Sequence, residues 1–326
     1  MRCIQNTNTD PCFSLAAEEY ILKNFRDDCF MLWRSDNAIV VGKHQNALAE
    51  INMDFVRKNK IKVVRRISGG GTVFHDLGNL NFTFIMNGEE GKLVDFRKFT
   101  NPILDVLKEL GVEGKFEGRN DLTYKGKKFS GNAEHVWRKR TLHHGTILFS
   151  SKINDLSLAL KVGHAKFIDK AVQSNRSKVT NLSEYLDEKM DVLEFRDRIM
   201  KHIMEKYQDC RLYDFDDKDM EAIAVLMKEK FCTWEWNFGY SPRYDFHRTI
   251  HKKSGKLEFY IQVEKGIIKE INVIMESLSL ATRDLVENAL TDVPHNPDRV
   301  AAALQKLNFQ SYFNSLTLEE FISGMF

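Results

Sequence analysis

Val63-Val64-Arg65-Arg66-Ile67-Ser68-Gly69-Gly70-Gly71-Thr72-Val73-Phe74-His75-Asp76-Leu77-Gly78-Asn79 is the stretch on which the reading of this chain turns. Two valines lead into two arginines. A serine, three glycines, a second apolar run and an Asp-Leu-Gly-Asn turn follow. The pattern predicts strand, bare-backbone loop, strand. Glycine lacks a Cβ and tolerates positive φ, so a Gly triplet lets the main chain turn tightly and approach a ligand closely. Consecutive N–H groups on such a loop can cradle an anion. The forked guanidinium groups of Arg65 and Arg66 could reach the same anion. A hairpin turn flanked by surface arginines satisfies the same letters. The arginines before the glycines and His75-Asp76 after them favour a phosphate or adenylate site.

Composition bounds the possibilities. The chain has 326 residues, 43% apolar and 29% charged, as one large globular domain or two unequal ones would. Lys plus Arg number 48 against 46 Asp plus Glu, which gives no general nucleic-acid footprint. The cysteines Cys3, Cys12, Cys29, Cys210 and Cys232 form no Cys-x-x-Cys pair and are odd in number. Neither a disulfide framework nor a zinc site is expected, and a cytoplasmic location fits. The N-terminus lacks the apolar core of a signal peptide. No apolar run approaches the roughly 20 residues that span a bilayer.

Along the chain, Asp10-Pro11 predicts the start of a first helix. Residues 29–33 and 38–42 read as the two strands of a hairpin about Ser35-Asp36-Asn37. Asn52 caps a short helix, and residues 80–86 alternate as a strand with Phe82, Phe84 and Met86 on one face. Residues 95–110 form an amphipathic helix that Pro102 threatens to break. Residues 116–148 are strand-rich, with a hairpin turn at residues 125–128 and a further strand from His143. Residues 163–184, including Ser174, Asn175, Arg176 and Ser177, read as a mobile surface loop. Helices near residues 192–207 and 218–230 come before an irregular aromatic segment at residues 234–242. Three strands and three helices then complete a small α+β unit. The expected division is residues 1–243 and residues 244–326.

The sequence has no G-x-x-x-x-G-K-[ST], no G-x-G-x-x-G opening a helix, no H-E-x-x-H and no G-x-S-x-G. Between Cys29 and Cys210 there is no thiol nucleophile. What remains is a set of anion-binding and polarising groups. Lys128, before Phe129-Ser130-Gly131, could stabilise developing negative charge, whereas Lys125 and Lys127 read as solvated turn lysines. Asn120-Asp121 offers hard oxygens for Mg²⁺ beside a triphosphate, or a simple turn. One imidazole of His143-His144 could donate to a ligand. His75-Asp76 could be a catalytic pair or turn chemistry. Trp33, Phe74 and Phe82 could line an apolar slot or be plain core.

In order and spacing, four segments resemble those of lipoate–protein ligases: residues 65–79, Asn120-Asp121-Leu122, Lys128-Phe129-Ser130-Gly131-Asn132-Ala133 and His143-His144-Gly145-Thr146. Ala16-Ala17-Glu18-Glu19, residues 42–46 and Trp236-Asn237-Phe238-Gly239 also fit. The resemblance implies an α+β fold: a large mixed β-sheet catalytic domain of the biotin/lipoate ligase type with a small C-terminal α+β accessory domain. It implies an ATP-dependent enzyme that forms lipoyl-AMP and passes the lipoyl group to a lysine of a carrier, an E2 subunit of a 2-oxoacid dehydrogenase or a glycine-cleavage H protein. By resemblance, Lys128 is the catalytic residue. Arg66, Gly71, Thr72, Val73, Phe74 and Lys128 bind ATP, and Ser68, Gly70, Gly71, His144 and Lys128 bind lipoate or lipoyl-AMP. Asp121 holds Mg²⁺. Arg65 is left a surface or structural role. A monomer that binds neither nucleic acid nor membrane is expected. Octanoyltransferases and lipoyl amidotransferases share the fold but act through a cysteine, which the cysteine-free stretch argues against. Biotin–protein ligases carry a G-R-G-R-x loop that this chain lacks. A non-catalytic carrier-binding protein would not need Arg66, the Gly triplet and Lys128 together.

Overall fold

The structure is a computed structural model and describes residues 1–88, 93–160, 166–175, 177–252, 255–276, 278–313 and 316–326. In chain order the elements are β1 (Arg2–Gln5), α1 (Pro11–Asn24), β2 (Cys29–Trp33), β3 (Ala38–Val41), α2 (Ala47–Glu50), α3 (Met53–Lys58), β4 (Lys62–Arg65), β5 (Val73–His75), β6 (Asn79–Asn87), α4 (Phe96–Glu109), β7 (Lys115–Glu117), β8 (Asp121–Tyr124), β9 (Lys127–Trp137) and β10 (Arg140–Leu148). They continue as α5 (Ile153–Ala159), β11 (Lys166–Asp169), α6 (Val192–Lys206), β12 (Arg211–Leu212), α7 (Asp217–Leu226), β13 (Tyr244–Lys252), β14 (Gly255–Glu264), β15 (Ile267–Met275), α8 (Leu280–Leu290), α9 (Pro297–Lys306) and α10 (Leu318–Gly324).

Two compact units result, and they interleave in sequence. One comprises Met1–Lys43, Ile61–Ser157 and Ser174–Thr233; the other comprises His44–Lys60, Leu158–Gln173 and Trp234–Phe326. A single cut near residue 243 does not trace these units, because two internal segments join the C-terminal one.

The first unit holds an eight-stranded mixed sheet ordered β12-β1-β2-β6-β10-β9-β8-β7 and a three-stranded sheet ordered β4-β3-β5. The expected hairpin of residues 29–42 is not formed. Strand β2 pairs with β1 and β6 in the large sheet, while β3 pairs with β4 and β5 in the small one. The turn at residues 34–37 therefore carries the chain between sheets. Likewise β4 and β5, on either side of the glycine loop, do not pair with each other, because β3 lies between them.

One face of the large sheet buries Phe30, Phe82, Phe84 and Phe129 against Phe99 and Ile103 of α4 and Phe195 and Ile199 of α6. Helix α4 runs unbroken through Pro102, although an interior proline costs about 3 kcal/mol. Its buried stripe of Phe99, Ile103, Val106 and Leu107 offsets that cost. The other face of the sheet meets α1, which packs on β6, β10 and β4. Asp10 caps α1 by accepting from Cys12 N at 2.8 Å, with Pro11 in the first turn. Of the expected loop at residues 163–184, Lys166–Asp169 is a strand, which pairs with β13 in the second unit. Arg176 lies outside the described residues. The second unit's sheet is ordered β11-β13-β14-β15 and closes over a core that includes Phe246, Phe259, Val286, Leu304 and Phe321.

Candidate active site

Both arginines of the opening stretch turn inward. Arg65 is fully buried, and its Nη1 donates to the carbonyls of Gly42 and Lys43 at 2.9 and 3.1 Å, so of the surface or structural role left to it the structural one holds. Arg66 folds back under its own loop. Its Nε donates to Ser68 Oγ at 3.0 Å, Nη2 to the Gly69 and Gly71 carbonyls at 2.7 Å each, and Nη1 to the Val40 carbonyl at 3.1 Å. Burial draws its pKa down to about 10, which still leaves it charged at neutral pH. The cation thus stands inside the glycine loop and points the loop's carbonyls inward. Gly70, at φ +89°, is where a Cβ would come within 2.9 Å of Arg66 Nη2.

Ser68 passes the contact on. Its Oγ lies 2.6 Å from His144 Nε2, and His144 Nδ1 lies 3.0 Å from both oxygens of Glu18. Glu18 accepts from Thr83 Oγ1 at 2.6 Å, and Thr83 accepts from Trp33 Nε1 at 2.9 Å. Because Arg66 donates to Ser68, the serine hydrogen is free to point at His144 Nε2. That leaves the Nδ1 hydrogen to donate to Glu18. Five buried side chains from the loop, α1, β2, β6 and β10 therefore form one polar chain. In the sequence Glu18 stood only within the Ala16-Ala17-Glu18-Glu19 segment that fits the resemblance, with no role given to it; in the structure it is a carboxylate within a helix whose neighbours Leu15, Ala16, Ala17, Ile21 and Leu22 are all buried.

Lys128 and Asp121 also meet, with Nζ 2.7 Å from Oδ1. The register of β8 with β9 shifts at Leu122/Thr123, so that Ser130 faces Leu122 and Lys128 faces Thr123. Strict alternation back from Ala133 and Gly131 would put Phe129 on their face. The irregularity instead sends Phe129 into the core and lays the lysine over Gly131, where a Cβ would stand 2.9 Å from Nζ. Ala133 then approaches the glycine loop, 3.8 Å from the Cβ position of Gly70. Lys128 of β9, with its partner Asp121 of β8, thereby lies on the side of the large sheet that bears His144 and faces the glycine loop of Arg66 and Ser68. Asn120 is committed elsewhere, since its Nδ2 donates to the Asn132 carbonyl at 2.5 Å.

The loop's amides are not all open. Thr72 N donates to Ser174 Oγ at 2.8 Å, and Gly71 packs against the same serine. Val73 and Phe74 lie in β5, an edge strand paired with β3. Phe74 and Phe82 are core residues, 3% and 0% exposed, so neither opens onto a slot, whereas Trp33 belongs to the polar chain. His75 and Asp76 do not pair. Both Asp76 oxygens cap backbone amides, of Gly78 at 2.9 Å and Lys152 at 2.6 Å, while both ring nitrogens of His75 lack a partner. His143 points to the opposite face, stacked on Phe82 and Phe99, with its Nδ1 2.8 Å from Glu134 Oε1. Burial pushes the Glu134 carboxyl up to about 7 and His143 well below the usual imidazole range. Cys29 is buried in β2 with its thiol pushed up to about 12, which makes it a poor nucleophile.

A mixed sheet with a glycine loop held from within by an arginine, and a lysine paired with a carboxylate on the neighbouring strand, suits an enzyme that handles acyl or nucleotide anions. The chain matches the Lipoyl protein ligase A/B catalytic domain over residues 10–204 and the Bacterial lipoate protein ligase C-terminus over residues 241–325. It is 37% identical to lipoate-protein ligase LplJ of Bacillus subtilis, over 98% of this chain and 97% of that protein. Among solved structures it resembles Plasmodium falciparum LipL1 in complex with lipoate, with a TM-score of 0.62 and 25% identity over 98% of this chain and 99% of that one. It also resembles lipoate-protein ligase A bound with ATP, with a TM-score of 0.64 and 27% identity over 73% of this chain and 98% of that one. The chain belongs to the lipoate–protein ligase family.

Proposed function

We propose that Lys128 is the centre of a two-step acyl transfer, carried out on the face of the large sheet that looks toward the glycine loop. The protein is an ATP-dependent lipoate–protein ligase. Its first step brings two anions together: the lipoate carboxylate attacks the α-phosphorus of ATP, a P–O bond forms, and pyrophosphate leaves. The second step is attack of a carrier lysine's neutral amine on the acyl carbon, with AMP as leaving group. A cation that touches both the acyl oxygen and the α-phosphate serves both steps. Lys128 is suited to this because Asp121 and Gly131 hold its amine in place, and that is the observation which carries the reading.

Around it, Gly71, Thr72, Val73 and Phe74 supply the nucleotide-facing backbone, with Arg66 acting from beneath the loop rather than as a reaching side chain. For Thr72 this requires Ser174 to yield its hydrogen bond. Ser68, Gly70 and His144 flank the acyl group, whose chain runs between β5 and the β6–β10 face toward Trp33. Asp121 is the chain's own candidate for Mg²⁺. No cluster of three metal-ligating side chains occurs among the described residues, and none is needed by an ion held by one carboxylate and the nucleotide's phosphates. When bound, that ion would neutralise phosphate charge. The carriers fitting this reaction are E2 lipoyl domains and the glycine-cleavage H protein, met by a monomeric ligase in the cytoplasm. No described helix is long and apolar enough to cross a membrane.

Lys128→Ala tests the assignment. Release of pyrophosphate from ATP and lipoate should fall by at least about 100-fold, the scale of a lost charge-stabilising group, while the far-UV spectrum and melting temperature stay as in the parent. Retained turnover in a folded variant would remove Lys128 from the centre.

A further inference from the structure

Four cysteines of the first unit stand in two pairs that no Cys-x-x-Cys spacing announces. Cys12, in the first turn of α1, meets Cys232, and Cys3 of β1 meets Cys210, which precedes β12. In each pair the two thiols hydrogen-bond to one another. The pairs differ in access. Cys3 is fully buried and Cys210 only partly exposed, whereas Cys232 is exposed with Cys12 buried beside it. Both members of the second pair are well seated. Cys12 Sγ donates to the Phe231 carbonyl at 3.4 Å, and Cys12 N donates to Asp10 Oδ1 at 2.8 Å. Cys232 N donates to the Met227 carbonyl at 2.8 Å and closes the helical segment Met227–Phe231, which continues α7. Lys62 brings a cation to the pair: its Nζ is 2.8 Å from Asp10 Oδ2, and its charge acts on both sulfurs. Burial keeps the Cys12 thiol protonated, well above the usual thiol range. The same two segments already meet through Glu19 of α1, whose Oε2 accepts from Lys230 Nζ at 2.5 Å.

We propose that Cys232 and Cys12 are a peroxide-reactive pair that closes to a reversible disulfide and clamps the start of α1 to the end of the first unit. An accessible thiol beside a lysine, with a second thiol in contact, has what a hydroperoxide needs to oxidise the one and the neighbour needs to resolve it. As thiolate, the Cys232 sulfur attacks one oxygen of hydrogen peroxide. An S–O bond forms, the O–O bond breaks, and the leaving hydroxide takes up the proton that Cys232 gave, as water. The Cys12 sulfur then attacks the Cys232 sulfur. The S–S bond forms, the S–O bond breaks, and the departing hydroxide leaves with the Cys12 proton as a second water. The two sulfurs lose two electrons and the peroxide gains them. Residues 12 and 232 stand near opposite ends of the first unit, which runs from Met1 to Thr233. The bond therefore closes a long loop, the case in which a cross-link restrains the unfolded chain most. Neither cysteine belongs to the Lys128 site, so the clamp removes no group from it. In a reducing compartment the bond is transient, made by oxidant and undone by small thiols.

The test treats the full chain with hydrogen peroxide, alkylates the remaining thiols and maps tryptic peptides by mass without reduction. The peptides of Cys12 and Cys232 should appear linked, with the loss of two hydrogens per chain, and dithiothreitol should separate them. The melting temperature of the oxidised chain should rise by about 5 °C or more and return on reduction. In Cys12→Ala the Cys232 sulfenic acid should persist and be trapped by dimedone. Cys232→Ser should form no link, while its reduced form keeps pyrophosphate release within about twofold of the parent. Oxidation of the parent that stops at sulfinic or sulfonic acid on Cys232, or that links one chain to another, means that Cys12 does not resolve Cys232, and the inference falls. A Cys3–Cys210 link in its place moves the reactive pair to β1 and overturns the assignment. A Cys12–Cys232 link without a rise in melting temperature refutes the clamp.

Discussion

Gly131→Ala probes the position of the Lys128 amine without deleting it. A Cβ at residue 131 would stand 2.9 Å from Lys128 Nζ and 3.0 Å from Cε. Ordinary contact between such atoms begins near 3.5 Å, so the amine must move by about 0.5–1 Å. The obstructed atoms are the end of a flexible side chain, so the strand itself need not shift. Gly131 is not among the glycines at positive φ, and alanine at such a site gains about 0.5–1 kcal/mol by restricting the unfolded chain. The melting temperature should therefore hold or rise slightly. Activity should not: a misplacement of about 1 Å in a positioned group costs roughly 100-fold. Pyrophosphate release without carrier reads the first step, and transfer from preformed lipoyl-AMP to a carrier domain reads the second. Both should fall, since one amine is assigned to both. A folded Gly131→Ala enzyme within about twofold of the parent in either assay would refute the argument that Lys128 acts through this fixed position.

Two further outcomes follow from the geometry. Ser174→Ala frees the Thr72 amide from its 2.8 Å bond, and KM for ATP should drop by about two- to tenfold, the worth of one hydrogen bond; an unchanged or raised KM means that Thr72 N–H does not meet the nucleotide. For the Glu134–His143 pair the signs oppose. Glu134 has a folded pKa of about 7 against an ordinary 4.5, so its stabilising contribution is complete below pH 4.5 and is lost as pH rises through 7. His143, lowered on folding from 6.5, gains stability as pH rises toward 6.5 and adds nothing beyond it. The net effect is a decline in stability between about pH 6.5 and 7.5. Denaturant unfolding across that window should show the decline in the parent and a flatter profile in Glu134→Gln; identical slopes would count against the protonated carboxyl.

Much of the architecture was open to a reader of the letters alone. The cap at Asp10-Pro11, the alternation through Phe82 and Phe84 and the amphipathic stripe of α4 each stand on local chemistry, and each element formed where that chemistry put it. Pairing was another matter. Residues 29–33 and 38–42 look like a hairpin because a short polar turn joins two apolar runs, yet each run is buried and finds its partners in a different sheet. Local pattern carries no information about which edge a strand will join.

The same line divides the site. The sequence by itself determined its chemical inventory: the glycine triplet with its arginines, Asp121, Lys128 and His144, and the absence of a thiol between Cys29 and Cys210. Those follow from residue type and spacing along one chain. Only the tertiary structure decided their roles. Arg66 turned beneath its loop because burial requires its donors to find acceptors, and the nearest are the loop's own carbonyls. Glu18 joined His144 from a separate helix. An irregular register between β8 and β9 exchanged the faces of Phe129 and Lys128. Each depends on contacts between residues far apart in sequence, and the free energy of burying a charge or an aromatic ring, which chose among them, is a property of the packed interior alone.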